Sequence, residues 1–442
     1  MGAIRNSLFA DASATLLLRL LTYVSLFAST VVASRALGPD GRGTYFLVVV
    51  TATTLATVAQ FGLPQANVYL RASCNEPVRA LGEQNALAAI ASVPLSAAFV
   101  PLAPIAMPGL FADVPPGYLI LGAATVPIFL HTQLTAGLQL LEHKVTWAFA
   151  AALVGGTTHF ALLGGLAAAG LLDVSSALSA NLVALIVTWL VTIAPADPPA
   201  RCGPSWNPRL LRETIRHSLM IHVGMVLLFL HLRVDVFLLK GIAGTTALGI
   251  YSLAVVLAET VMQATDGLSI ALVPRQLKNT IAEAGRQVMR MGRLNILTGL
   301  LVAAAWIAAG WLAIPWLFGE EFSGAYLPLL VLLPGMIAFG VQRLTGPVVL
   351  RSARSDLLVL FNGGALGVNV ALDLLLLPTL GPVGAATASS VSYVLSAALF
   401  VWWTMRVAPG ARVADLVPRR SDIGLLADLP RRAADELASR RA

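Results

Sequence analysis

Residues 38–49 read Gly-Pro-Asp-Gly-Arg-Gly-Thr-Tyr-Phe-Leu-Val-Val, and residues 244–255 read Gly-Thr-Thr-Ala-Leu-Gly-Ile-Tyr-Ser-Leu-Ala-Val. At a constant offset of 206 residues, Gly38 meets Gly244, Gly43 meets Gly249, Tyr45 meets Tyr251 and Leu47 meets Leu253. Each stretch joins an odd-numbered hydrophobic segment to an even-numbered one. Further along, Gly170 before the sixth segment resembles Gly381 before the twelfth. The second half of the chain therefore echoes the first.

Working outward, the hydrophobic segments fall at roughly 12–36, 44–70, 82–109, 117–140, 146–170, 176–194, 214–240, 246–272, 292–317, 323–350, 356–379 and 383–406. A membrane-crossing helix needs about 20 mostly apolar residues, and each segment is near or above that length. Composition agrees. Of 442 residues, 57% are hydrophobic and only 12% charged, against roughly 25% charge in ordinary soluble domains, and mean hydropathy is +0.81. A water-soluble fold and a disordered chain are both excluded. The segments are rich in Ala, Gly, Ser and Thr, which let helices approach closely in lipid, and Pro127 and Pro334 predict kinks.

Basic residues set the expected orientation. With the N-terminus in the cytoplasm, 23 of the 29 Lys and Arg fall on the inner side. Three, Arg35, Arg42 and Lys240, fall in outer loops, and Arg19, Arg233 and Arg343 lie within segments. Both termini are expected inside. The net charge of +7 is thus a topology signal and not a nucleic-acid one. Cys74 and Cys202 fall in inner loops, where a disulfide framework is not expected.

The expected fold is an all-α integral membrane protein with 12 transmembrane helices in two parallel six-helix lobes around a central cavity. The first lobe covers residues 1–194. A proline-rich cytoplasmic linker follows at 195–213, and the second lobe covers 214–406. Within that lobe Leu277, Ile281, Ala284, Val288 and Met291 form an apolar stripe beside Arg275, Lys278, Arg286 and Arg290, which predicts an interfacial amphipathic helix at about 275–291. Residues 407–442 form a basic tail for which two readings stand side by side, contact with anionic headgroups and a solvated tail of no particular role.

Three motifs carry a family resemblance. Ala33-Ser-Arg-Ala-Leu-Gly-Pro-Asp-Gly-Arg-Gly-Thr-Tyr45 is similar to an R-x-L-G…G-x-Y signature of bacterial polysaccharide flippases. Leu317-Phe-Gly-Glu-Glu-Phe322 with Ala325, and Gly381-Pro-Val-Gly-Ala-Ala386, match in the same way. The chain thus resembles the O-antigen and polysaccharide repeat-unit flippases of the multidrug/oligosaccharidyl-lipid/polysaccharide (MOP) exporter superfamily. The resemblance implies a V-shaped pair of lobes, alternating access, and a substrate glycan carried on polyprenyl diphosphate in the bacterial inner membrane.

Ionisable residues inside a membrane usually face a cavity or a partner. Arg19, Arg233 and Arg343 suit a diphosphate headgroup, because a guanidinium binds phosphate bidentately; the alternative is snorkelling to the interface. Glu259, Gln263 and Asp266 share a face at i, i+4 and i+7. Asp373 shares one with Asn362 and Asn369, and Asp235 has His231 four residues before it. The four acids could carry a coupling H⁺ or Na⁺, or could serve as counter-charges to the arginines. Gln60, His131 and Gln133, with Gln263, Asn362 and Asn369, are candidate glycan contacts or interhelical hydrogen bonds. Trp306, Trp311 and Trp316 fit an interfacial belt.

No catalytic constellation, phosphate-binding loop or metal-ligand spacing is visible in the sequence, so a transporter without a cofactor is expected, and not an enzyme. The chain is expected to be a monomer, with membrane lipids and other glycan-assembly proteins as candidate partners. The function expected is flipping of lipid-linked oligosaccharide repeat units. The alternatives within the superfamily are a cation-coupled multidrug exporter and a lipid II flippase.

Overall fold

The computed structural model describes residues 2–142, 144–194, 203–263, 280–352, 354–419 and 421–422. Among these residues the chain is helical, with no strand. The helices are α1 (Gly2–Ala59), α2 (Leu63–Ser73), α3 (Val78–Ala106), the short α4 (Pro108–Phe111), α5 (Pro116–Leu141), α6 (Val145–Ala168) and α7 (Val174–Ile193). The second half holds α8 (Pro208–Ala258), α9 (Ile281–Phe318), α10 (Tyr326–Arg351), α11 (Ser355–Leu380) and α12 (Pro382–Val407). Among the described residues, ten helical stretches are long and apolar enough to cross a membrane.

Two of the ten, Leu17–Ser73 and Pro208–Gln263, are 57 and 56 residues long. Straight, each would measure about 85 Å, far beyond a hydrocarbon core of about 30 Å. Neither is straight. Gly38 has φ 63° and ψ −179°, and Gly244 has φ 86° and ψ −178°. That backbone region is open only to glycine. The two glycines that the repeat aligns hold the same rare conformation and redirect α1 and α8 alike.

The structure corrects several boundaries. The expected outer loop at 37–43 does not exist: Pro39 restarts the helix at once, since proline suits a first helical turn. The segment expected at 44–70 breaks instead at Gln60–Gly62, where Gly62 has φ 75°. The amphipathic segment is not a separate interfacial helix. Residues 275–279 lie outside the described residues, and from Ile281 the chain runs unbroken to Phe318. Its apolar stripe faces protein: Val288 packs with Leu344 and Val348, with Ile281 and Met291 against them, and the neighbouring Met289 packs with Ala408 and Ala411.

The start of the tail folds back onto α9 beside that stripe, over Met289. Arg286 Nη1 donates to the Pro409 carbonyl (3.0 Å), and the buried Asp422 carboxylate pairs with Arg293 at 2.8 Å. The described part of the tail thus packs on protein; residues 423–442 lie outside the described residues.

Candidate functional site

Polar side chains gather inside the second half, where α8, α11 and α12 meet. The small residues of α12 let the three helices close: Ser389, Ser392 and Ser396 are fully buried and share one face. Asp235 of α8, 2% exposed, accepts from the Ser389 hydroxyl (2.9 Å), from the Val236 amide (2.8 Å) and from the Tyr251 hydroxyl. His231 Nε2 lies 2.9 Å from Ser392 Oγ. On α11, Asn369 is satisfied with its amide nitrogen toward Asp373 (3.1 Å) and its oxygen toward Ser392 Oγ (3.0 Å). A hydrogen-bonded chain results, His231 to Ser392 to Asn369 to Asp373, with all four residues fully buried. Asp373 Oδ1 and His231 Nδ1 have no hydrogen-bond partner in it. The expected Asp235 and Asp373 are therefore brought to the same three-helix junction.

The other acids are placed differently. Glu259 pairs with Arg233 at 2.8 Å, both side chains about one-fifth exposed. Asp266 lies outside the described residues. Gln263 is half-buried in the short helical stretch 260–263 that follows α8.

The three arginines have unlike surroundings on three helices. Arg19 donates to Tyr23 Oη (2.9 Å), and its guanidinium lies 5.3 Å from the Phe149 ring of α6, a cation–π contact. Arg343 is exposed on α10, while its neighbour Gln342 turns inward.

Several candidate glycan contacts are interhelical ties. His131 Nδ1 accepts from Trp189 Nε1 at 2.8 Å, joining α5 to α7. Asn362 accepts from Gln342 (3.1 Å) and donates to the Gly224 carbonyl (3.0 Å), joining α11 to α10 and α8. Asn369 belongs to the buried chain. Gln133 is exposed, and Gln60 is half-buried in the turn after α1.

The halves meet along a seam that is tied at two ends. At the Gly38 end, Arg35 donates to the Leu317 carbonyl (2.7 Å) and the Trp316 carbonyl at the C-terminus of α9, where a cation complements the helix dipole. Arg42 donates to Ser252 (3.0 Å), and Lys240 pairs with Asp113 at 2.6 Å. The three basic residues expected in outer loops are instead side chains that cross from one half to the other. Arg42 and Lys240 are buried. At the Gly62 end the start of α8 leans on the first half. Arg209 pairs with Glu76, Gln84 donates to Thr214 (3.0 Å), and the Tyr69 and His217 rings stack 4.2 Å apart.

A family model described as "Polysaccharide biosynthesis protein" matches residues 8–279, more than half the chain. The chain belongs to the polysaccharide biosynthesis protein family. None of the curated proteins matches it significantly. Among solved structures, this polysaccharide biosynthesis protein is similar to an inward-facing multidrug resistance MATE family transporter of the MOP superfamily. The two are 16% identical with a TM-score of 0.61, covering 90% of this chain and 98% of that one. It is also similar to the lipid II flippase MurJ in an inward closed conformation (13%, TM-score 0.65, covering 92% and 89%). A third likeness is to a point mutant of the Vibrio cholerae MATE transporter VcmN (14%, TM-score 0.63, covering 91% and 98%). The fold is that of MOP-superfamily transporters, and these neighbours are described as transporters and a flippase.

Sequence reasoning missed Ser389, Ser392, Tyr251 and Ser252 as polar partners. A signal existed for α12, since Ser389, Ser392 and Ser396 recur at i, i+3 and i+7. Tyr251 stood in the repeat, but its role differs between halves. Its mate Tyr45 has its hydroxyl 3.4 Å from His159, where Tyr251 meets Asp235.

Proposed function

We propose that this protein is a flippase that moves polyprenyl-diphosphate-linked oligosaccharide repeat units from the inner to the outer leaflet of a bacterial cytoplasmic membrane. The observation that carries the reading is the family match over residues 8–279 on a MOP transporter fold. A transporter fold within a polysaccharide biosynthesis family needs a membrane-bound sugar precursor as cargo. In this reading α1–α2 and α8 each cross the membrane twice, which makes twelve crossings in two six-helix lobes with both termini cytoplasmic.

The lipid tail stays in the bilayer while the diphosphate and sugars pass between the halves. Arg19 and Arg343 receive the diphosphate from one side, and Arg233 meets it after exchanging Glu259. The halves then separate at the Gly38 end. Asp235 and Asp373 couple this movement to H⁺ or Na⁺. The support for coupling is the bare Asp373 Oδ1, because an ionised carboxylate buried with an unsatisfied oxygen is costly, and a bound proton or cation relieves that cost.

The test is lipid extraction from cells lacking the protein, with mass analysis of polyprenyl-linked glycans. Accumulation of a completed diphosphate-linked repeat unit, with loss of surface polysaccharide, is expected and names the sugar. Accumulation of lipid II alone would move the assignment to peptidoglycan. Unchanged lipid-linked glycans with raised sensitivity to cationic compounds would move it to multidrug export.

A further inference from the structure

Arg42 is 5% exposed, and its partners are two hydroxyls. Its Nε donates to Ser252 Oγ at 3.0 Å, and its Nη1 donates to Ser34 Oγ at 2.8 Å. Among the described residues no carboxylate pairs with it. A guanidinium offers five N–H donors, so most of its capacity is unspent. Buried charges are ordinarily paired. Lys240, also buried at this end, follows that rule with Asp113.

The repeat shows that packing does not demand an arginine here. The position 206 residues on is Leu248, fully buried in a cluster with Leu47, Val48 and Val236. The fold satisfies the equivalent site with a leucine. The first half instead keeps a buried cation at the seam, beside the backbone contact of Gly43 with Gly249.

Its two bonds also differ in what parting the halves would do to them. Ser34 lies eight residues back on α1 and travels with Arg42, whereas Ser252 belongs to α8 of the other half. Separation at the Gly38 end removes Ser252 and leaves a guanidinium facing the gap. A planar fork of this kind is matched by phosphate oxygens.

We infer that Arg42 is a phosphate-receiving residue at the seam: as the halves part, its guanidinium exchanges the Ser252 hydroxyl for a phosphate oxygen of an anionic headgroup. The headgroup being a lipid-borne diphosphate rests on the flippase reading above; the anion site itself does not.

The test uses the purified full chain with two probes, undecaprenyl diphosphate and inorganic pyrophosphate, and the variants Arg42→Gln, Arg42→Leu and Arg42→Lys. We expect the Gln and Leu variants to bind undecaprenyl diphosphate about tenfold more weakly, as loss of a charge-assisted pair implies, with Lys intermediate. Arg42→Leu, which copies position 248, keeps its unfolding midpoint and so separates binding from folding. Competition by pyrophosphate would assign recognition to phosphate alone; Arg42-dependent binding without competition would assign it to the lipid-borne form. Gln and Leu variants within twofold of the parent, or a parent that binds neither probe, would overturn the inference and leave Arg42 as a structural tie. Arg42-dependent binding in a protein whose loss causes no lipid-linked glycan to accumulate would sink the flippase reading alone.

Discussion

Gly43 and Gly249, related by the internal repeat, face each other across the seam between the halves. A Cβ built on Gly43 would stand 3.0 Å from the Gly249 amide nitrogen and overlap the Thr245 carbonyl. A Cβ on Gly249 would overlap the Pro39 carbonyl. The obstacles are backbone atoms, which cannot rotate aside. Gly249→Ala is therefore expected to force the helices apart and cost about 1–3 kcal/mol, the usual range for overpacking. Thermal unfolding in detergent should show a lower midpoint than for Gly364→Ala, where a Cβ meets nothing. Equal midpoints would mean that the seam is not closed as described.

Arg233 and Glu259 form an ion pair with about one-fifth of each side chain exposed. Removing one partner strands the other in a poorly solvated site, at a cost of about 3 kcal/mol. Arg233→Ala and Glu259→Ala should each destabilise, and the double variant should recover much of the loss. A double-mutant cycle in detergent measures the coupling; additive losses would show that the two charges are independent.

Much of the fold was legible because glycine hinges and crossing lengths leave direct marks in sequence. Gly38 and Gly244 are kept at matching positions by a backbone conformation no other residue adopts easily. The segments that became α3, α5, α6, α7, α10, α11 and α12 lie within a few residues of their expected bounds. The region Pro39–Gly43 was misread because Gly and Pro together suggest a loop. After a glycine hinge, though, proline starts a helix as readily as it ends one. The polar junction was half legible. Carboxylates in apolar segments stand out, so Asp235 and Asp373 were found. Buried serines pass for packing residues, and partners 154 and 161 residues apart, such as Asp235 with Ser389 and His231 with Ser392, leave no local pattern.

Asp373 and Asp235 carry the coupling proposal, and neutral isosteres test it. In proteoliposomes, Asp373→Asn should abolish the dependence of lipid-linked glycan transport on an imposed H⁺ or Na⁺ gradient. His131→Gln, altering a tie between α5 and α7 in the other half, should leave that dependence intact. A gradient response unchanged in Asp373→Asn and Asp235→Asn would remove both carboxylates from coupling.

Asp422 is fully buried and meets Arg293 of α9 at 2.8 Å, while the Arg419 amide donates to it at 2.6 Å. The pair pins the start of the tail over Met289, which packs with Ala408, Ala411 and Leu416. Asp422→Asn should weaken that pin, so limited trypsin digestion should cut at Arg412 and Arg419 faster than in the parent. Arg293→Gln should act in the same direction. Unchanged cleavage in both would show that apolar contacts of Ala408, Ala411 and Leu416 hold the segment alone.

Arg19 and Arg343 differ in how they are held, and the difference sharpens the test of the diphosphate path. Arg19 is oriented by Tyr23 and Phe149, so Tyr23→Phe removes a hydrogen bond and keeps an aromatic face. Arg19→Ala and Arg343→Ala should each abolish surface polysaccharide while membrane insertion stays normal, and Tyr23→Phe should lower it only partly. The proposed path uses charge and not side-chain bulk, so Arg19→Lys and Arg343→Lys should retain part of the activity where Arg19→Met and Arg343→Met retain none. Surface polysaccharide at parental levels in both alanine variants, measured beside equal amounts of inserted protein, would exclude these two arginines from headgroup binding.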